Sequence, residues 1–487
     1  MEKFRDLITI ERSADVPIYL QLANAIIHQI LSGRLRKGRK MPGSRSLADL
    51  LNINRMTVVA AYEELKAQGW IIQHARKGSF INDQLPILQP KEITENTSPF
   101  LKPPGLPFPV NEDRVGIPNL ITGKPGQLVI DDGFPDLRLA PVREIARSMK
   151  GLSRMPTYTR YLQYATPKGN GLLRKVLSGY LNDTRGLPVN EDNLMITRGA
   201  TMGIYLASRI ITQPGDHVIM SEPGFRFARR IFNQLELNIN KVRVDEYGMD
   251  IDAVEQICKT RPIRLVYTVP HHHYPTTVTL SPERRIRLLE LARKYSFAII
   301  EDDYDYDFHY SSKPMMPMAS IDRYGSVVYV GTLTKTLAPS IRIGFLTANE
   351  NFINRAASYR NLIDFQGDTF SEAVIAELFR DGTMTRHIKK ALKTYKERRD
   401  HFCDLLKDQL GEKVSFGVPD GGMCVWTKFN DVDLKKLSLN AGLKGLGISD
   451  GSKYNTTGND YNSIRMGFAS LSFHEQEKAI SILKSCL

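Results

Sequence analysis

The sequence predicts an α/β protein in which a small winged helix-turn-helix precedes a large domain built on a parallel sheet. Three observations predict it. Two short amphipathic helices joined by a tight turn, then a hairpin pattern, open the chain. A stretch dense in proline follows. Beyond it, short apolar strands alternate with helical stretches, the rhythm of βα units. At 487 residues the chain exceeds one ordinary domain, and 42% hydrophobic residues suffice for a large core.

The first helix starts after Pro17 and shows Ile18, Leu22, Ile26 and Ile30 on one face, with Gly33 as its stop. A basic turn follows: Arg34, Arg36, Lys37, Arg39 and Lys40. Residues 46–51 form a short helix and 52–54 the turn. A second helix begins near Arg55, buries Val58, Tyr62 and Leu65, and stops at Gly69. Residues 70–72 and 79–81 flank the polar tip HARKG (74–78), a pattern suited to a hairpin wing. In such a module the first residues of the second helix face the major groove of DNA. Arg55, Met56 and Thr57 are therefore candidate base readers, Arg45 a phosphate or base contact, and Lys77 a phosphate contact from the wing. The alternative on these residues alone is a small helical oligomerisation domain with a solvated basic face. The net charge of +13 favours a polyanionic partner.

Eight prolines between residues 84 and 118 exclude a continuous helix or central strand there, so this segment is expected to be a linker. The expected division is thus 1–83, 84–118 and 119–487. No run of about 18 apolar residues occurs, which predicts no membrane span. The N-terminus MEKFRDLITIERS has no secretory signal pattern. Cys258, Cys403, Cys424 and Cys486 form no C-x-x-C pair, which predicts a reduced, cytoplasmic protein without zinc or disulfides.

In the large domain, strands are expected at 194–197, 217–221, 265–269, 297–300 and 327–330. The last runs into VGTLTKTL (330–337). A lysine at a strand end, here Lys335, forms an imine with an aldehyde if its surroundings deprotonate it. The hydroxyls of Thr332 and Thr334 and the planar fork of Arg342 suit a phosphate. Strand 297–300 delivers Glu301, Asp302, Asp303 and Tyr304 where ligand crevices lie. A carboxylate there pairs with a protonated pyridine nitrogen, and a tyrosine two residues on bonds a ring hydroxyl. The competing reading is an Mg²⁺ site made by Glu301, Asp302, Asp303, Asp305 and Asp307, but no phosphate motif accompanies it. TRGAT (197–201) offers a helix start with a glycine, a phosphate-binding turn that includes Ala200 and Thr201. Phe225 is placed to stack on a flat ring or to fill the core.

PIYLQL (17–22), GRLRKGRKMPGSR (33–45) and NRMTVVAAYEEL (54–65) closely resemble the GntR family of bacterial regulators. YATPKGNGLLRKVLSGYL (164–181), ITRGATMGIYL (196–206), PGDHVIMSEPGF (214–225), IIEDDYDYDF (299–308), GTLTKTLAPSIRIGF (331–345) and SIRMGFASL (463–471) resemble fold-type I aminotransferases, in the order that superfamily has them. The whole chain is similar to MocR-type regulators. The resemblance implies a mixed, mainly parallel sheet with a smaller C-terminal subdomain. It implies pyridoxal 5′-phosphate (PLP) as an internal aldimine on Lys335, Asp302 facing the pyridine nitrogen, and Tyr304 the ring hydroxyl. It implies Ala200, Thr201, Thr332, Thr334 and Arg342 around the phosphate, Phe225 against the ring, and Arg465 clamping the carboxylate of an amino-acid effector. A head-to-tail homodimer is implied as well.

The family stretch P-x-H-Q-x-P-T-G reads PHHHYPTT (270–277), with His273 for glutamine and Thr277 for glycine. Adjacent histidines on an extended chain point to alternate sides and chelate poorly, so His271, His272 and His273 are expected to pack or contact the ring rather than hold a metal. Cys424 stands where the family often has histidine. The expected function is a PLP-dependent DNA-binding regulator of a double-stranded operator that senses an amino compound or PLP itself. The alternative is a working aminotransferase between an amino acid and a keto acid.

Overall fold

The computed structural model describes residues 4, 7–85, 127–310, 315–455 and 458–487. The chain divides into two compact units, Met1–Asn111 and Glu112–Leu487. From residue 86 onward the proline-rich segment 84–118 lies outside the described residues.

The first unit holds α1 (Ile18–Leu31), α2 (Ser44–Leu51) and α3 (Arg55–Ala67), then a hairpin of β1 (Ile71–His74) and β2 (Gly78–Ile81). Leu22 and Ile26 of α1, Leu47 of α2, and Val58, Ala61 and Leu65 of α3 close one core, capped by Ile71 and Ile81 of the hairpin. The turn between α2 and α3 is made by Asn52 in the left-handed region at φ 51° and by Asn54, whose side chain accepts from Met56 N at 2.8 Å. Asparagine tolerates the first conformation and caps a helix in the second, which is why the chain can reverse in three residues. Two boundaries differ from expectation. Helix α2 starts at Ser44, directly after Pro42 and Gly43, rather than at residue 46. The wing strands extend to His74 and Gly78, because Arg76 at φ 62° and Gly78 at φ +100° close a tight tip.

The second unit is built on an eight-stranded sheet, with a two-stranded and a three-stranded sheet beside it. After β3 (Leu128–Val129) come β4 (Leu194–Thr197), β5 (His217–Glu222), β6 (Asn238–Asp245), β7 (Gly248–Met249), β8 (Ile263–Thr268), β9 (Ala298–Asp303), β10 (Val327–Thr332) and β11 (Gly344–Thr347). The order is β4-β11-β10-β9-β8-β5-β6-β7. The pairs β5–β6, β5–β8, β8–β9 and β9–β10 are parallel. Strand β11 is antiparallel to both β10 and β4, so the sheet is mixed and not purely parallel as strand rhythm alone suggests. Because β11 reverses, β4 runs with β10, and six strands end at one edge.

Strands β4, β8, β9 and β10 are buried almost throughout, with helices over both faces, as parallel sheets require. A smaller subdomain pairs β12 (Val414–Phe416), β13 (Cys424–Phe429) and β15 (Ser463–Gly467), antiparallel, against helices Thr383–Leu410 and Phe473–Lys484. Strand β3 pairs in parallel with β14 (Leu446–Gly447). Just beyond it, Gly467 N donates to Asp131 O at 2.8 Å, which lays residues 131–134 along the subdomain. No two cysteines are bonded, and among the described residues no helix is long and apolar enough to cross a membrane.

Candidate functional site

On the first unit, Arg55 and Met56 are exposed at the start of α3 and Thr57 is half-buried behind them. Arg45 is exposed on the first turn of α2 and Lys77 at the wing tip. Tyr62, from the inner face of α3, donates to Pro42 O at 2.8 Å and ties α3 to the segment before α2. All five residues named for DNA therefore sit on one small unit whose geometry is set by a shared core, with helix start and wing both presenting cations.

On the second unit, the segments that leave the sheet edge converge. Gly199 follows β4, Phe225 follows β5, residues 270–277 follow β8, Asp302–Tyr304 end β9, and Thr332–Lys335 end β10. Side chains on a strand alternate in direction, so Asp302 faces away from Glu301 and Asp303. Its neighbours have their own partners. Glu301 accepts from Met318 N at 2.9 Å and Ala319 N at 2.8 Å, and Asp303 from the Tyr329 hydroxyl at 2.7 Å. Asp305 meets His272 Nδ1 at 2.7 Å, and Asp307 meets Arg185 at 3.1 Å. A carboxylate run consumed in this way leaves little to ligate Mg²⁺, and no group of metal-ligating residues occurs among the described residues.

Asp303 Oδ1 lacks a hydrogen bond but faces His271 Nδ1 at 3.3 Å, whereas Asp302 has no basic side chain paired with it among the described residues. Asp302 Oδ2 accepts from the Tyr267 hydroxyl at 2.7 Å, but Oδ1 is buried and has no partner. Burial pushes its carboxyl up to about 7. A buried oxygen without a partner is costly, and a protonated ring nitrogen is a group that would satisfy it.

Lys335 Nζ donates to Gly133 O at 2.8 Å and lies 4.2 Å from the centre of the Phe134 ring. Burial, helped by the nearby Arg465 guanidinium, holds its ammonium below the ordinary range. That favours the neutral amine, the form that attacks an aldehyde.

Thr332 Oγ1 and Thr334 Oγ1 are 2.9 Å apart, and Arg342 Nη1 donates to Thr334 Oγ1 at 3.4 Å. Arg342 Nη2 reaches Arg198 O at 3.3 Å, and no carboxylate pairs with Arg342 among the described residues. Gly199, at φ +80°, precedes helix Ala200–Ile211, and a Cβ there would stand 2.6 Å from Arg342 Nη2. The helix start has no side-chain cap. Uncapped amides at Ala200 and Thr201, two hydroxyls and an unpaired guanidinium make a cradle for a dianion. The residues present thus fit PLP at three points: amine, ring nitrogen and phosphate.

Phe225 and Tyr274 have ring centres 5.3 Å apart, at 72°, beside Arg465. Tyr304 donates to His272 O at 3.1 Å and accepts from Arg465 Nη2 at 3.4 Å. His273 is buried between Ser221 Oγ and Thr276 Oγ1, each at 2.7 Å, and burial lowers it to about 3, so its ring is neutral. His271 sits against Asp303 at 3.3 Å. The three histidines thus take three different partners. Arg465 is buried, but its Nε lies 3.2 Å from Asp132 Oδ1. Asp132, Gly133, Phe134 and Tyr267 carry no local motif in the sequence. They enter the site only through the 131–134 segment and the strand register.

Thr277 occupies the left-handed region at φ 64°, where the family pattern has glycine. A β-branched side chain there costs roughly 1–2 kcal/mol. Thr277→Gly should raise the unfolding free energy by a net of up to about 1 kcal/mol, after the entropy glycine loses on folding, read as a higher urea midpoint. A lower midpoint would show that the Thr277 side chain is held by contacts worth more than the strain.

Both units match known families. Residues 18–81 match the family model "Bacterial regulatory proteins, gntR family", and residues 134–483 match "Aminotransferase class I and II". The chain is 29% identical over 473 residues to the uncharacterized HTH-type transcriptional regulator YdfD of Bacillus subtilis, covering 96% of this chain and 95% of that one. It is 26% identical over 433 residues to the probable rhizopine catabolism regulatory protein MocR of Rhizobium meliloti, covering 87% and 84%. Among solved structures it is similar to the kynurenine aminotransferase of Pyrococcus horikoshii, with a TM-score of 0.68 and 28% identity over 74% of this chain and 90% of that one. Its large unit belongs to the class I and II aminotransferase family, and with the GntR helix-turn-helix in front the chain is a MocR-type transcription regulator.

Proposed function

We propose that the large unit binds PLP through a Schiff base on Lys335, and that the occupant of this site sets how the helix-turn-helix binds its operator. The observation that carries the reading is the unpartnered Oδ1 of buried Asp302 at the same sheet edge as the Lys335 amine. When bound, PLP supplies an aldehyde that condenses with an amine and a ring that takes up electrons. Asp302 holds the ring nitrogen protonated, Tyr304 bonds the ring hydroxyl and Phe225 covers a face. Ala200, Thr201, Thr332, Thr334 and Arg342 hold the phosphate, and Lys335 gives up its proton to become the nucleophile. Arg465 lies where an effector's tail would end.

The signal is an amino compound or PLP itself, and it switches only if the two occupancy states differ in their fit to DNA. The aminotransferase fold is usually dimeric. Leu137, Val142, Leu162, Tyr164, Leu362 and Phe365 are exposed on this unit, which supports a homodimer, head to tail in this reading. Paired heads gain avidity for paired half-sites. The expected layout keeps 1–83 as the DNA module, 84–118 as linker and 119–487 as the sensory part.

Adding PLP to the full chain should give a visible absorbance band, and borohydride should fix the label on Lys335. A label on another lysine would refute the assignment. For the DNA module, Arg55→Ala should weaken binding to a sequence selected from a random library by roughly 1–3 kcal/mol and leave random DNA nearly unaffected. Equal loss on both, read by fluorescence anisotropy, would make Arg55 a phosphate contact.

A further inference from the structure

Arg465 has the position expected of a clamp for an effector carboxylate, yet its Nε edge already carries one. Asp132 Oδ1 is 3.2 Å from Arg465 Nε. The remaining nitrogens make only long contacts, Nη1 to Pro275 O at 3.3 Å and Nη2 to the Tyr304 hydroxyl at 3.4 Å.

Asp132 is not a passing neighbour. The Tyr454 hydroxyl donates to its Oδ1 at 2.5 Å and the Tyr274 hydroxyl to its Oδ2 at 3.0 Å. Lys453 Nζ lies 3.2 Å from the same Oδ2. Two hydroxyls and two cations fix this carboxylate, and the backbone of its segment is pinned by the bond from Gly467 N to Asp131 O. Burial works against its ionisation, but Arg465 and Lys453 hold it below the usual carboxylate range. A carboxylate with four donors is fully engaged. An incoming α-carboxylate must share Arg465 with it or displace it, and two carboxylates at one guanidinium repel. Asp132 is also next to the amine: the carbonyl of Gly133, the following residue, accepts from Lys335 Nζ.

We infer that Asp132 is a specificity-determining residue: a built-in carboxylate that occupies Arg465 and selects a primary amine lacking an α-carboxylate over an amino acid. The inference rests on the PLP reading of Lys335 and narrows the ligand class of that site.

The test uses the full chain loaded with PLP and a matched pair of probes, ethylamine and L-alanine. Apparent affinities come from the shift of the visible band and, independently, from thermal unfolding. In the wild type, ethylamine should bind more tightly than L-alanine after correction for free-amine concentration. In Asp132→Asn, the ratio should move toward L-alanine by at least tenfold, and the ratio of ratios cancels the different basicities of the probes. Tyr454→Phe, which removes one donor from Asp132, should move it the same way by a few-fold and serves if Asp132→Asn does not fold. Calorimetry of the PLP-free chain with propionate gives a third readout, with binding expected in Asp132→Asn and not in the wild type. A wild type that prefers L-alanine, or a ratio unchanged in the variants, overturns the inference while leaving Lys335 as the PLP site. No visible band with PLP in the wild type overturns the PLP reading and this inference together.

Discussion

Lys335→Ala should retain the fold and lose the visible band, with PLP bound only as the free aldehyde. The rest of the site remains: the partnerless Asp302 oxygen, the Thr332–Thr334–Arg342 cluster and the uncapped helix start at Ala200. The expected retention of PLP on dialysis is therefore reduced and not abolished. A loss of affinity of at least about 100-fold corresponds to about 2.7 kcal/mol. Absorbance after dialysis measures it. A variant that keeps the wild-type band would show that another amine holds the aldehyde, and that the depressed ammonium of Lys335 has some other cause.

Asp307→Ala should be the most destabilising single change in the large unit. Asp307 and Arg185 are both nearly inaccessible and meet at 3.1 Å. The Tyr180 hydroxyl donates to Asp307 at 2.7 Å, and Thr336 Oγ1 at 3.3 Å, directly beside Lys335. Arg185 has its guanidinium against the rings of Tyr180 and Tyr306, and its side chain is 5% exposed. Removing the carboxylate leaves a buried cation uncompensated, a loss of about 3–5 kcal/mol. The urea midpoint of the large unit reports it. Because Thr336 loses its partner too, the variant should also hold PLP less firmly. A change below about 1 kcal/mol would mean that water reaches Arg185 once the side chain is gone.

Much of this was legible in the linear chain. The period-four apolar positions of α1, the asparagines before α3 and the apolar runs of β4, β5, β8, β9 and β10 are local signals. Each reports a physical preference of a few neighbouring residues, and the elements form close to where those signals lie. Motif chemistry was local as well. The hydroxyls at residues 332 and 334, the amine at 335 and the guanidinium at 342 fall within eleven residues, so one strand end delivers them together. Sheet order was not legible. Nothing in residues 344–347 announces that β11 runs antiparallel, because a buried strand is apolar in either direction.

Residue type and spacing along the chain were sufficient for two things: a DNA module in front of a large α/β unit, and the identity of an amine, an acid and an anion cradle at the ends of its strands. Folding settled which of several equivalent carboxylates is buried without a basic partner, because strand alternation sends Asp302 one way and Asp303, against His271, the other. It also brought Asp132 to Arg465 across 333 positions. Long-range pairing of charges has no signature in local sequence, since its energy depends on burial and distance, and both exist only once the chain has closed on itself.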